Sequence, residues 1–188
     1  MNALFHNIKS LLHLSKAAQE ALNQKIQKIE FKKGDFLVKE GALCQHLFFL
    51  EQGCLRGYYY LDAKEVTHWF GFENDFVTSF HSFITRKPSI ENIQILEDSI
   101  LWSIGKDSLE QLYTDFPEIE RLGRLACEQY YIRLEDRYVS SQFKTAAERY
   151  NDLLETKSDL VQRLPLGYIA SYLGISQETL SRIRGKKN

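Results

Sequence analysis

The sequence predicts an α+β protein in three parts: an N-terminal antiparallel β-sandwich or jelly roll, a long helix, and a C-terminal helix-turn-helix. Three observations carry this. Between Ile29 and Ser103 apolar residues come in short runs rich in β-branched and aromatic side chains, with glycines between them. From Pro117 onward no Gly-Pro break stops a helical pattern before Ser140, and its apolar positions repeat as heptads. From Leu164 to Lys187, two short helical patterns meet at Gly174. The expected division is residues 1–116, 117–143 and 144–188.

Composition bounds the function. The chain has 188 residues, 44% of them hydrophobic, enough for a packed core in one large or two small domains. Its formal net charge is only -1, but the charge is unevenly placed. Residues 160–188 carry Arg163, Arg182, Arg184, Lys186 and Lys187 against Glu178 alone, so a basic end sits on an acidic body. Cys44, Cys54 and Cys127 are scattered and odd in number, and the first twenty residues lack a signal-peptide core, so a reducing, cytoplasmic setting is expected. His6, His13, His46, His68 and His81 form no H-x-x-x-H pair, and no apolar run approaches the ~18 residues of a membrane span. No metal, cofactor or membrane role is expected.

Each element has a local reason. Leu4 to Leu11 and Lys16 to Ile26 are amphipathic helical patterns, with Ser15 placed to cap the second; they are expected to pack as a lid on the strands. Gly34, Gly41, Gly53, Gly57 and Gly71 then punctuate the strand runs, and two more strands are expected at Ser89 to Leu96 and Ser99 to Ser103. Lys106 to Tyr113 reads as a short helix, and Pro117 opens a long one at its favoured first-turn position. Within it, Leu122, Leu125, Gln129, Ile132, Asp136, Val139 and Phe143 alternate spacings of three and four residues. That seam predicts a parallel coiled-coil dimer, with Gln129 and Asp136 at a-like positions, while Ala126, Tyr130, Leu134 and Tyr138 would lie on the strand domain. Thr145 and Glu148 form a capping box for a helix expected to run to about Thr156.

The helix-turn-helix pattern is the most informative. Ile169, Ala170 and Leu173 give a first helix, Gly174 suits the positive φ of a sharp turn, and Ser176 caps a second helix whose Leu180 and Ile183 face inward. Gln177, Glu178, Ser181 and Arg182 then fall on the opposite face, and all four side chains can hydrogen-bond to base edges. Arg163, Ser176, Thr179, Arg184, Lys186 and Lys187 are the candidate phosphate contacts. The plain alternative is a solvated Glu178–Arg182 ion pair on an ordinary helical hairpin.

Phe31-Lys-Lys-Gly34-Asp35, Lys39-Glu40-Gly41, Leu47-Phe-Phe-Leu50 and Gly53, the heptad helix, and LGISQETLSRIR together resemble the Crp/Fnr superfamily of bacterial transcription factors over nearly the whole chain. The resemblance implies a cyclic-nucleotide-binding-like sensor, a dimer helix, and base-reading positions at Gln177, Glu178 and Arg182. It also implies a departure. Counting back from Ile93, Ser89 falls where the family's phosphate-binding arginine belongs and Ser79 near its ribose-binding glutamate. Cyclic AMP binding in the family manner is therefore not expected. Arg86 lies three residues early, a substitute only if the loop were shifted, and the family's cysteine cluster for an iron-sulfur centre has no counterpart. Phe70, Phe72, Phe76, Phe80 and Phe83, beside Trp69, fill the expected cup, either as core packing or as the lining of an apolar site.

The expected function is a homodimeric, sequence-specific DNA-binding regulator on an inverted repeat, with RNA polymerase as a conceivable further partner. The alternative is a small-ligand sensor acting through protein partners. No nucleophile elbow, P-loop or paired catalytic carboxylates support an enzyme.

Overall fold

The computed structural model describes residues 3–185, with backbone alone at 3 and 156–160. The chain runs α1 (Ala3–Leu11), α2 (Lys16–Lys25), β1 (Gln27–Phe31), β2 (Phe36–Val38), β3 (His46–Gln52), β4 (Leu55–Leu61), β5 (Lys64–Gly71), β6 (Phe76–Val77), α3 (Phe80–Thr85), β7 (Asn92–Ile95) and β8 (Ser99–Gly105). Helices follow: α4 (Lys106–Asp115), α5 (Pro117–Phe143), α6 (Ala146–Val161), α7 (Leu166–Leu173) and α8 (Gln177–Gly185). Capping chemistry sets several boundaries. Ser15 Oγ accepts from Ala18 N at 3.2 Å, and Thr145 Oγ1 accepts from Glu148 N at 3.3 Å while Glu148 reaches back to Thr145 N at 2.7 Å. The two-residue turn between β4 and β5 puts both Asp62 and Ala63 at positive φ, the geometry whose twist matches a hairpin.

The strands form two four-stranded antiparallel sheets, β1-β8-β3-β6 and β2-β7-β4-β5. Leu50 and Leu101 of the first sheet share one buried core with Leu55, Ile93 and Ile95 of the second, as expected of a sandwich. Leu4, Ile8, Leu22, Leu109, Leu112, Ile119 and Leu122 join that core, which seats α1, α2, α4 and the first turns of α5 on the sandwich. A second core of Cys54, Phe72, Tyr150, Ile169, Leu173 and Leu180 ties α6, α7 and α8 together and to the end of the sandwich.

Three element-level expectations need correction. α3 and the two-residue β6 are absent from the sequence reading, because FHSFIT is too short and too aromatic to show a helical period. α6 continues past Thr156 to Val161, ending near Pro165 where the chain must leave the helix. In the second stripe of α5, Tyr130 stacks on Phe80 at 4.1 Å, but Tyr138 is 67% exposed and does not reach the strands.

Candidate functional site

The C-terminal hairpin is built on one left-handed residue. Gly174 has φ 67° and ψ 32°, and Ile175 N donates to Ala170 O at 3.0 Å, so the turn closes with the last carbonyls of α7 satisfied. Ala170 is 2% exposed where α7 and α8 cross, and Leu180 anchors α8 at 1%. Ser176 Oγ accepts from Thr179 N at 3.2 Å, which caps α8. Gln177, Glu178, Ser181 and Arg182 are all exposed, and among the described residues no hydrogen bond or ion pair engages their side chains. The ion-pair alternative for Glu178 and Arg182 is therefore not what the chain adopts. Arg184 is exposed at the same end; Lys186 and Lys187 lie outside the described residues.

Arg163 corrects the phosphate-contact expectation. Its guanidinium donates to Glu73 Oε1 at 2.8 Å and Oε2 at 3.0 Å and also holds Glu97, so it clasps the end of α6 to the sandwich. Burial pushes the Glu73 carboxyl up, but Arg163 and the backbone N–H groups of Glu73 and Gly53 outweigh it and hold the carboxyl below the ordinary range.

The rest of this contact belongs to α7. β5 is the edge of its sheet, and Ser171 completes it: Thr67 N donates to Ser171 Oγ at 2.9 Å, and Ser171 Oγ donates to Glu65 O at 3.1 Å. Beside it, Arg56 of β4 is 1% exposed, donates to Glu65 Oε2 at 2.5 Å and to Gln94 Oε1 at 2.8 Å, and lies between the rings of Tyr58 and Tyr168 at 4.2 and 3.6 Å. Tyr172 of α7 packs on Phe70 at 5.4 Å, and Arg149 donates to Leu173 O at 2.8 Å.

The expected aromatic cup is divided. A cavity of about 410 Å³ lies between β5, α3 and α5 and is lined by Phe70, Phe72, Phe76 and Phe80. A second, of about 320 Å³, lies under α1, α4 and α5 and takes Phe76, Phe80 and Phe83. The stacked pair Phe80–Tyr130 stands on the wall of both. Arg86 enters neither: it ends α3 at φ 61° and points to Asp107 at 3.5 Å, so it is no substitute for a cassette arginine. The two positions counted to the cassette face each other, with Ser79 Oγ and Ser89 Oγ 3.0 Å apart and both side chains buried. Ser89 Oγ also donates to Glu91 O at 2.8 Å, so these hydroxyls are satisfied within the protein.

Sequence reasoning missed Arg56, Tyr59, Glu91 and Tyr172. Arg56 had a signal, a charge inside the strand run LRGYYYL, whereas Glu91 and Tyr172 carry meaning only through residues distant in the chain. Among the described residues no cluster of three or more His, Cys, Asp or Glu is placed to hold a metal, and no helix is long and apolar enough to cross a membrane.

Residues 28–116 match the cyclic nucleotide-binding domain family. No curated protein sequence matches the chain. Solved structures do. CLP of Xanthomonas campestris, a c-di-GMP-responsive global regulator, superposes with TM-score 0.72 at 17% identity over 92% of this chain and 91% of that one. FixK2 of Bradyrhizobium japonicum gives 0.71 at 20% over 86% and 83%, and a protein of Eubacterium rectale assigned to the crp/fnr family of transcriptional regulators gives 0.71 at 19% over 90% and 82%. At these identities the likeness is one of fold: a cyclic nucleotide-binding sandwich, a long helix and C-terminal helices, arranged as in Crp/Fnr regulators.

Proposed function

We propose that this chain is a homodimeric, sequence-specific DNA-binding transcriptional regulator that does not respond to cyclic AMP. In this reading residues 1–116 sense, 117–143 dimerise and 144–188 read DNA. The observation that carries it is the outer face of α8, where Gln177, Glu178, Ser181 and Arg182 stand exposed above a buried Leu180 with no hydrogen bond or ion pair among the described residues. A helix so anchored and so tipped suits a major groove, with Arg182 matched to guanine and Gln177 to adenine. Two copies related by the α5 seam would address half-sites about 34 Å apart on an inverted repeat. Ser176, Thr179 and Arg184 flank the reading face as phosphate contacts.

Indifference to cyclic AMP is read from the cassette positions. The serines counted to those positions are buried and bonded to each other, and the neighbouring Glu91, which lines the cavity, is a carboxylate where a phosphate would need a cation. Nothing in this reading calls for catalysis.

The test is selection from a random duplex library with and without cyclic AMP. An enriched inverted repeat unchanged by the nucleotide is the expected result; absence of any enriched sequence would sink the DNA-reading assignment in favour of signalling through protein partners. Two substitutions sharpen it. Arg182→Ala should cost about 1–3 kcal/mol at one base pair per half-site and relax selectivity there alone, read by competition with single-base variants. Arg163→Ala should leave the salt slope of binding unchanged, because its guanidinium faces Glu73 and Glu97. A fall in that slope of about 1 per subunit would return Arg163 to the phosphate contacts.

A further inference from the structure

The cavity between β5, α3 and α5 carries a buried carboxylate among flat rings, a construction that suits something other than a cyclic nucleotide. Glu91 lies in its wall and is 6% exposed. Its Oε2 accepts from Trp69 Nε1 at 2.9 Å and pairs with His68 Nε2 at 2.8 Å, while Oε1 has no hydrogen bond among the described residues. A carboxylate this buried is costly unless a donor or cation meets it. The walls around it are flat rings: Tyr59 stacks on His68 at 4.2 Å, Trp69 stands edge-on to His68, and Phe80 and Tyr130 stack on each other in the wall.

The arrangement is held in place by the sheet. Gly57 pairs with Trp69 in the β4–β5 register, and a Cβ at Gly57 would fall 2.0 Å from Trp69 Nε1, so a side chain there would expel the indole from its path to Glu91. Of the other charged groups in the wall, Arg133 is bound to Asp75 at 2.8 Å and Arg137 lies over the Tyr172 ring at 5.8 Å; Asp136 and His81 are exposed. Glu91 is thus the most deeply buried charge in the wall, with His68 and Trp69 on one of its oxygens. Tyr59 and Tyr130 feel it: burial first, then the Glu91 charge, raises both phenols above their ordinary range, with Arg137 opposing.

We infer that this cavity binds an organic cation with a flat apolar body, an arylalkylamine in chemical class, whose nitrogen donates to Glu91 Oε1 while its ring lies among Tyr59, Trp69, Phe80 and Tyr130. A volume of about 410 Å³ accommodates a bicyclic ring with a short amine arm. The charge-assisted hydrogen bond supplies orientation, and the ring faces supply buried area and cation–π attraction. The inference deepens the sensor part of the proposed function and is independent of the DNA-reading part. Phe70 and Tyr172 also line the cavity, the latter from α7, so an occupant would touch the reading head directly.

The experiment uses three probes of one shape and different charge, tryptamine, tryptophol and indole-3-propionate, titrated into the full-length protein by calorimetry and by thermal shift. Tryptamine should bind saturably and more tightly than tryptophol by on the order of tenfold, and the carboxylate should bind weakest. Glu91→Gln should erase the preference for the amine. Equal or tighter binding of the carboxylate, no saturable binding of any probe, or an amine preference that survives Glu91→Gln would each overturn the inference. The probe series on the unsubstituted protein decides the matter even if the variant fails to fold. DNA selection on the unliganded protein reports separately on the DNA-binding reading, so the two can fail independently.

Discussion

Ile132→Glu is expected to turn the protein from a dimer into a monomer and to lower its affinity for a full inverted repeat by about 100-fold or more. The reason lies in what α5 leaves uncovered. Its first turns are spent on the sandwich, where Ile119 and Leu122 are 2% and 7% exposed. Further along the seam the coverage ends: Ile132, Val139 and Phe143 are 56%, 46% and 82% exposed, with Tyr131 and Tyr138 beside them. A helix presenting such a contiguous apolar stripe at heptad spacing suits a second copy of itself.

In a parallel pair each seam residue meets its own symmetry mate, so Ile132→Glu places two carboxylates against each other. Losing the dimer removes the linkage that makes binding of the second half-site intramolecular, which is where the large factor arises. Light scattering and fluorescence anisotropy on full and half operators check both parts. Unchanged half-site affinity would locate the defect in association; a variant still dimeric at micromolar concentration would show that the seam is not the interface.

Parts of the molecule governed by local chemistry were legible in the sequence, and parts governed by distant pairings were not. The capping serine at Ser15, the Thr145–Glu148 box, the Gly174 turn and the buried stripe of α8 each rest on residues within a few positions of one another. Arg163 looked like a phosphate ligand because a basic residue near a helix-turn-helix has few local alternatives. Its real partners, Glu73 and Glu97, lie 90 and 66 residues away. The aromatic cluster was legible in part: Phe70, Phe72, Phe76 and Phe80 line one cavity, whereas Phe83 lies in the other, a division set by where β5, β6 and α3 place them. Counting along the cassette found the missing arginine. It could not single out Glu91 two residues on, whose carboxylate meets the indole of Trp69 and the ring of His68 only in the folded chain.

Arg56→Met is expected to lower the stability of the folded chain by about 3 kcal/mol. Removing one partner of a buried ion pair typically costs about 3–5 kcal/mol, because the other charge is left without compensation. Here the lower end applies, since the Glu65 side chain is 39% exposed and can turn to water. The remaining cost falls on groups that cannot. Gln94 Oε1 and Thr67 Oγ1 lose their donor, and the rings of Tyr58 and Tyr168 lose the cation between them. Urea denaturation should show the loss as a lower midpoint, and thermal melting as a fall of about 6–12 °C for a chain of this size. Arg56→Lys separates charge from shape: an ammonium keeps the attraction to Glu65 but cannot fork between Glu65 and Gln94 or lie flat between two rings, so it should recover only part of the loss. A methionine variant within about 1 kcal/mol of the parent would mean that Arg56 is held by the sandwich and the reading head without holding them. Because Tyr168 belongs to α7, the same substitution should speed amide exchange in Leu166–Leu173 more than in β8, a pattern that uniform destabilisation would not produce.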